Sequence, residues 1–166
     1  MMKILVTGSS GFIGHHLIKK LLSDGYSVVG IDNMNDYYSP SLKRDRNKLI
    51  KSKNYKLIEC DLNDINQIQD ASDFELVINL AAQAGVRVSR EQEYLYDHSN
   101  VKGFKSLCNF CAKNRITKII YASSSSVYSG DGKNKFVETQ TNLSPMSLYG
   151  KSKLSNELLA SKLVKN

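Results

Sequence analysis

The chain has 166 residues, of which 41% are hydrophobic and 23% are charged, a composition and length typical of one globular domain that can bury a core. Lys and Arg exceed Asp and Glu by 23 to 16, for a formal net charge of +7, but the basic residues are spread along the chain, so we expect no nucleic-acid partner. No apolar run has membrane-spanning length and no signal sequence is recognisable, so we expect no membrane partner and a cytoplasmic location.

Strand-like and helix-like segments alternate along the chain. Apolar runs predict strands at 3–7, 27–32, 55–60, 76–79 and 118–123. Helical periodicity predicts helices at 11–23, 41–51, 65–71, 91–114 and 147–165. This alternation is typical of the α/β class with a parallel sheet covered on both faces. Right-handed crossovers then predict a doubly wound, Rossmann-like sheet with strand order 3-2-1-4-5.

The most informative motif is the G-x-x-G-x-x-G spacing of Gly8, Gly11 and Gly14, between the first strand and the first helix. A tight turn requires residues that tolerate positive φ, and a pyrophosphate needs close approach of the backbone. The helix that follows offers unpaired N–H groups and a partial positive charge. Asp32 ends the second strand, where an acid can bind an adenosine ribose and disfavours a 2′-phosphate. These features predict a dinucleotide site; the alternative is a tight turn without a ligand.

A second motif pairs Tyr149 with Lys153, which an α-helix places on one face. A free phenol is a poor base at neutral pH. A nearby ammonium, together with a positive nicotinamide ring, favours the phenolate. Such a tyrosine can take a proton from a sugar hydroxyl while hydride leaves for a cofactor. The serine run 123–126 closes the fifth strand, where ligands bind in open α/β sheets, so one hydroxyl there can contact a reacting sugar oxygen.

Cys108 and Cys111 have the C-x-x-C spacing of some metal and redox sites. Zinc would need two further ligands, and only Cys60 and scattered histidines remain. The pair also lies in a helical pattern of apolar residues. We therefore expect two buried helix thiols and no metal site.

Taken together, these motifs resemble the extended short-chain dehydrogenase/reductases of the NAD-dependent epimerase/dehydratase family, and among them the UDP-glucuronate 4-epimerases. The stretches that carry the resemblance are 7–14, 32–38, 61–62, 80–87, 100–103, 123–128 and 145–153. The resemblance covers the whole chain, whereas the proteins of that family are much longer. It implies an NAD-binding Rossmann domain over residues 1–166, with the substrate domain of the family absent and the site for a UDP-sugar substrate incomplete.

The resemblance also implies a role for each site residue. The pyrophosphate is assigned to Gly8, Gly11, Phe12, Ile13 and Gly14. The adenosine ribose is assigned to Asp32, with Asn33 and Asn35 nearby, and the adenine to Asp61 and Leu62. The nicotinamide side is assigned to Leu80, Ala81, Ala82 and Gln83, with Asn100 supporting the active site. The catalytic set is Ser124, which also contacts substrate, Tyr149 as the base, and Lys153, which assists Tyr149 and holds the nicotinamide ribose. Arg87 is a candidate for contact with the substrate.

The implied reaction is oxidation at C4 of a UDP-hexuronate, with hydride passing to NAD. The 4-keto sugar then turns over in the pocket, and hydride returns to its other face. We expect the 166-residue chain to be inactive alone, and the resemblance implies a homodimer through a four-helix bundle of helices 91–114 and 147–165.

Two alternatives stay open. One is a non-catalytic NAD-binding remnant or partner-binding module. The other is a nucleotide-sugar dehydratase, a class that typically carries an acidic pair after the catalytic Ser/Thr. Because Ser125 and Ser126 follow Ser124 here, the sequence disfavours the dehydratase.

Overall fold

The computed structural model describes residues 1–69, 73–85, 89–128 and 135–164. These residues contain one parallel sheet of five strands in the order β3-β2-β1-β4-β5. The strands are β1 (Lys3–Thr7), β2 (Ser27–Asp32), β3 (Tyr55–Glu59), β4 (Leu76–Asn79) and β5 (Ile119–Tyr121). The α/β class and the doubly wound strand order predicted from the sequence are confirmed. Strand β5 is the largest departure among the strands, because it ends two residues before the predicted position 123.

Helices cover both faces of the sheet. The α-helices of the described part are α1 (Phe12–Ser23), α2 (Pro40–Lys48), α3 (Gly103–Lys113) and α4 (Leu148–Val164). Short 3-10 helices lie at Leu62–Gln67, Arg90–Gln92 and Ser125–Val127, and a π-helix lies at Tyr96–Lys102. No helix among the described residues is long and apolar enough to cross a membrane.

The prediction of an α-helix over 65–71 is wrong, since the structure has a 3-10 helix at Leu62–Gln67. The reason is local: the side chain of Asp61 accepts a hydrogen bond from the backbone N–H of Asn63, 2.9 Å away. Such Asx capping favours a short turn over a continuing α-helix. Residues 70 and 71 of that prediction lie outside the described residues.

The prediction of one regular helix over 91–114 is confirmed in its second half and wrong in its first. The segment Arg90–Gln92 is a 3-10 helix, residues 94–95 are α-helical, Tyr96–Lys102 is a π-helix, and α3 begins at Gly103. A π-turn inserts extra residues into a helix and re-aims its side chains, often at functional sites. Here it lies where Tyr96 and Asn100 are both buried, 4% and 1% exposed.

The core has two parts, one on each face of the sheet, because alternate strand residues point to opposite faces. On one face, Leu5, Val29 and Val77 pack against Leu107 and Phe110 of α3. On the other face, the strand residues Ile4, Val6, Val28 and Ile78 pack against Ile18 of α1. Strands buried on both faces account for the continuous apolar runs in the sequence.

The predicted thiols are both buried in α3. Cys108 is 4% exposed and Cys111 is 1% exposed. Burial raises the pKa of Cys108 to about 11 and the pKa of Cys111 to about 12. Since the thiolate is the form that reacts and binds metal, these groups serve as small apolar core residues.

The strand register brings three chain segments together at the carboxyl edge of the sheet. Thr7 of β1 is aligned with Ile31 of β2 and with Asn79 of β4. The Thr7 hydroxyl donates a hydrogen bond to the side-chain oxygen of Asn79 and accepts one from the N–H of Ala81, 3.2 Å away. The turns after β1, β2 and β4 therefore meet at one place.

Candidate functional site

A cavity of about 390 Å³ opens at this carboxyl edge. It brings together most of the residues predicted to form a site. The predicted residues that line it are Gly8, Gly11, Phe12, Ile13, Gly14, Asp32, Asn33, Asn35, Asp61, Leu62, Leu80, Ala81, Ala82, Tyr149 and Lys153. Lys43, Cys60 and Ser123 are among the further lining residues that the sequence analysis did not select.

The glycine turn is packed so closely that side chains are excluded at two of its positions. Gly8 has φ +66°, and a Cβ atom there would lie 2.7 Å from the backbone nitrogen of Ala81. A Cβ atom on Gly14 would lie 2.2 Å from the carbonyl oxygen of Gly8. Gly11 caps α1 without a side-chain hydrogen bond. The first turn of α1 therefore faces the cavity with backbone donors, as an anion site requires.

Asp32 lies at the end of β2 and is only 7% exposed. One carboxylate oxygen accepts the backbone N–H of Ser10 at 3.0 Å, and the other accepts the backbone N–H of Met34 at 2.9 Å. The ammonium of Lys43 lies 3.2 Å from that second oxygen and also donates to the side-chain oxygen of Asn35 at 2.8 Å. These bonds fix the carboxylate as a rigid, charged acceptor at the cavity wall.

Asp61 is the second acid of the cavity. Burial raises the pKa of Asp61, but hydrogen bonds from the backbone of Asn63 and the side chain of Asn33 outweigh it and hold the pKa below its usual value. The Asn33 amide donates at 2.9 Å, and the ring of His98 lies 3.4 Å from the same carboxylate oxygen. Asp61 is therefore an ionised acceptor, suited to a ligand that donates hydrogen bonds, such as a base amino group.

Tyr149 and Lys153 project from the first two turns of α4. The Lys153 ammonium lies 5.8 Å from the centroid of the Tyr149 ring and donates to the carbonyl of Ala122 at 2.9 Å. Burial lowers the pKa of Lys153 to about 8. The ring of Tyr96 lies 6.2 Å from that of Tyr149, centroid to centroid. The phenol and the ammonium thus share one wall of the cavity, as the spacing of the motif predicts.

Gln83 and Asn100 do not line the cavity but lie directly behind it, 3% and 1% exposed. The Asn100 side chain accepts the backbone N–H of Gln83 at 2.7 Å and donates to the carbonyl of Gln83 at 3.1 Å. It also donates to the Ser152 hydroxyl at 2.9 Å, which donates in turn to the carbonyl of Tyr149 at 2.7 Å. Asn100 therefore joins the turn after β4 to the helix that carries Tyr149.

The structure distinguishes between the serines after β5. Ser124 is not among the lining residues, and its hydroxyl oxygen accepts the backbone N–H of Ser126 at 3.1 Å. Ser123 lines the cavity, and its hydroxyl donates to the carboxylate of Glu157 on α4. Arg87, the candidate for substrate contact, lies outside the described residues.

Glu157, Ser123 and Lys43 are polar residues of this region that sequence reasoning missed. Glu157 follows Lys153 by one helical turn, so its place on the same face of α4 could have been predicted. Ser123 lies in a run of four serines, where no pattern selects one hydroxyl. Lys43 lies in a segment rich in lysine and arginine, which favours a solvated surface. Among the described residues, no group of His, Cys, Asp or Glu could hold a metal ion.

The fold and the cavity define a doubly wound α/β domain with a site of the dinucleotide-binding type. The family model that matches the chain is that of the NAD-dependent epimerase/dehydratase family, over residues 4–166. The chain therefore belongs to this family.

Curated relatives are similar in sequence to this chain over nearly its whole length. Protein CapI of Staphylococcus aureus is 45% identical over 162 residues, which cover 96% of this chain and 48% of the relative. UDP-glucuronate 4-epimerase 1 of Arabidopsis thaliana is 44% identical over 158 residues, which cover 93% of this chain and 37% of the relative. The chain spans about half the length, or less, of the curated relatives it matches.

Solved structures share the fold. The UDP-glucuronic acid 4-epimerase of Bacillus cereus, crystallised with UDP-glucuronic acid and NAD, matches with a TM-score of 0.85 and 35% identity. The match covers 99% of this chain and 53% of that protein. A UDP-galactose 4-epimerase structure matches with a TM-score of 0.79 and 28% identity.

Proposed function

We propose that this chain forms the NAD-binding part of a UDP-glucuronate-type 4-epimerase. The observation that carries the proposal is the shared cavity: the glycine turn, the two fixed acids and the Tyr149–Lys153 pair line one space of about 390 Å³. The similarity to UDP-glucuronate 4-epimerases at 44% and 35% identity supports the same reaction class.

The residues of the cavity fit NAD. Gly8 and Gly14 allow the turn to pack tightly against its own backbone and that of Ala81, and the first turn of α1, which lines the cavity, offers its N–H groups to the pyrophosphate. Asp32 accepts from the adenosine ribose, and Asp61 from the adenine. Leu80, Ala81 and Ala82 supply the apolar wall beside the nicotinamide, and Gln83 and Asn100 hold that wall in place from behind. When bound, NAD supplies a reversible hydride acceptor.

Tyr149 is the proton acceptor and donor in this proposal. Its phenolate takes the proton of the sugar C4 hydroxyl and returns it after the sugar has turned over. The Lys153 ammonium lies 5.8 Å from the centroid of the Tyr149 ring on the same cavity wall, where it assists Tyr149 and holds the nicotinamide ribose. The Ser124 oxygen accepts the backbone N–H of Ser126, and its hydroxyl proton, which has no acceptor among the described residues, is assigned to a hydrogen bond with the reacting sugar oxygen.

We propose that these 166 residues bind NAD and are inactive when assayed alone, since they span about half the length, or less, of the curated relatives they match. We also propose pairing of two copies through α4 and the segment from Tyr96 to Lys113, which would form a four-helix bundle. One second candidate is an NAD-binding module without turnover, and it is favoured by the position of Ser124, which does not line the cavity. Ser125 and Ser126 continue to disfavour a dehydratase.

Calorimetric titration of the chain with NAD tests the first step. We expect one-to-one binding by the wild type and by Tyr149→Phe, because the phenol oxygen is needed for proton transfer rather than for folding. The conversion of UDP-glucuronate to its C4 epimer is then assayed for the chain alone and with the remaining part of a longer relative added. Absence of NAD binding by the folded chain would overturn the proposal, and binding without turnover in both assays would favour the non-catalytic module.

A further inference from the structure

The cavity contains a buried cation beside its ribose-binding acid. The Lys43 side chain is 7% exposed and the Asp32 side chain is 6% exposed, and their charged groups are 3.2 Å apart. Lysine is almost never buried to this extent unless it is paired. Lys43 comes from α2, which lies between β2 and β3, so the helix brings this charge to the site from outside the glycine turn.

The hydrogen bonds of the pair leave part of each group for a ligand. Asp32 accepts two donors on one oxygen, from Met34 and Lys43, and a single donor on the other, from Ser10. An ammonium has three N–H donors, and Lys43 directs two of them to Asp32 and Asn35. Lys43 also lines the cavity, so its third donor is placed to meet a ligand there.

We propose that Lys43 is a specificity-determining residue of this site, reading the 2′ position of the adenosine ribose jointly with Asp32. The inference rests on the proposed function, since it concerns the nucleotide that the cavity binds. An acid alone accepts from the ribose hydroxyl and repels a 2′-phosphate, whereas a cation nearby accommodates that phosphate. Here the cation touches the acid itself. The choice between NAD and NADP is therefore set by the balance of the two charges.

The pair predicts opposite effects for its two members. Removing the Lys43 charge leaves a bare carboxylate, which strengthens the discrimination against NADP. Removing the Asp32 charge leaves a buried ammonium without its counter-ion, which a 2′-phosphate would restore. A lysine that only held α2 in place would change stability in both variants and leave the preference between the nucleotides unaltered.

The test measures the dissociation constants of NAD and NADP, by calorimetry, for the wild type, Lys43→Gln, Asp32→Asn and the double variant. We expect Lys43→Gln to raise the ratio of the NADP constant to the NAD constant on the order of tenfold, and Asp32→Asn to lower it by a similar factor. In the double variant this ratio should not fall as it does in Asp32→Asn, because no ammonium remains to meet the 2′-phosphate. Lys48→Gln is the matched control, because Lys48 lies on the same helix, is 74% exposed and pairs with Asp45.

The outcomes separate this inference from the proposed function. Wild-type binding of NAD with an unchanged ratio in Lys43→Gln overturns the role of Lys43 and leaves the proposed function standing. If the ratio of the NADP constant to the NAD constant is the same in Asp32→Asn and in the double variant, the role of Lys43 is overturned as well. If Asp32→Asn does not fold, the comparison of Lys43→Gln with Lys48→Gln decides alone. A folded wild type that binds neither nucleotide overturns both proposals.

Discussion

The hydroxyl of Ser123 donates a hydrogen bond to the carboxylate of Glu157, and this bond joins the end of β5 to α4. One turn earlier on α4, the Lys153 ammonium donates to the carbonyl of Ala122. Two consecutive residues after β5 are therefore held by two residues of one helix face. The same face carries Tyr149, so this pair of bonds fixes the phenol relative to the sheet.

Loss of the Glu157 carboxylate should loosen this connection. We expect Glu157→Ala to lower the free energy of unfolding by about 1 to 3 kcal/mol, because a charged hydrogen-bond acceptor is lost and Ser123 is left without it. Glu157→Gln keeps an acceptor and should cost less. Lys151→Ala, an exposed change on the same helix, should stay within about 0.5 kcal/mol of the wild type. Denaturant unfolding measures all three, and equal stability of Glu157→Ala and Lys151→Ala would contradict the expectation.

Gly8 of the glycine turn can be compared with Gly25, which follows α1 and also has a positive φ. Gly8 has φ +66° and Gly25 has φ +85°. A methyl group at Gly8 meets the backbone of Ala81 at 2.7 Å, whereas one at Gly25 meets no described atom within 4 Å. Both Gly8→Ala and Gly25→Ala carry the conformational cost of about 1 kcal/mol. We expect only Gly8→Ala to abolish NAD binding, and calorimetry that finds equal binding in the two variants would argue against the assigned pyrophosphate site.

The buried ammonium of Lys153 makes stability depend on alkaline pH. Its pKa is about 8 in the folded chain against 10.5 for the ordinary lysine value. Between these pH values the unfolded chain binds more protons at this site, so this group makes the folded state more stable as the pH rises. The gain is at most about 3 kcal/mol and is complete above the ordinary lysine pKa.

Lys153→Met removes the titrating charge and keeps the length of the side chain. We expect the unfolding free energy of the wild type to rise relative to that of the variant as the pH rises from about 8 to about 10. Parallel curves for the two chains over this range would mean that Lys153 titrates at its ordinary value. Lys151→Met, on the exposed side of α4, supplies the control curve.

Asn100 is the centre of a buried polar network, so its removal should affect both stability and binding. Asn100→Ala leaves the backbone N–H of Gln83 without its acceptor in the core. We expect a loss of about 2 to 3 kcal/mol in unfolding free energy and weaker NAD binding, since the turn after β4 is released. Asn109→Ala on the exposed side of α3 is the control. A variant as stable as this control would show that the network is dispensable.

Much of the fold could be predicted because the relevant signals are local. The apolar run Leu76–Asn79 and the glycine spacing before α1 depend on period and φ requirements that a sequence displays directly. The π-helix at Tyr96–Lys102 could not be predicted, since one inserted turn barely alters the apolar pattern of the segment. It is stabilised by contacts distant in sequence, above all the bonds from Asn100 to Gln83 and Ser152.

The residues of the site also divide into those that the sequence predicts and those that it does not. The Tyr149–Lys153 spacing identifies two lining residues, because a helix converts spacing into a shared face. Ser123 and Lys43 could not be selected in this way. Which serine faces the cavity depends on β5 ending at Tyr121, and Lys43 is buried only because Asp32 and Asn35 meet its ammonium.

The three cysteines of the chain differ in a way that provides a built-in reporter. Cys108 and Cys111 are sealed in the core, whereas Cys60 is partly exposed and lines the cavity beside Asp61. Burial and the nearby Asp64 and Asp61 raise the pKa of Cys60, so alkylation at neutral pH should be slow but confined to that thiol. A nucleotide seated in the cavity would shield it. The rate of mass increase with iodoacetamide, with and without NAD, therefore reads occupancy of the site in the unmodified sequence, without any engineered probe.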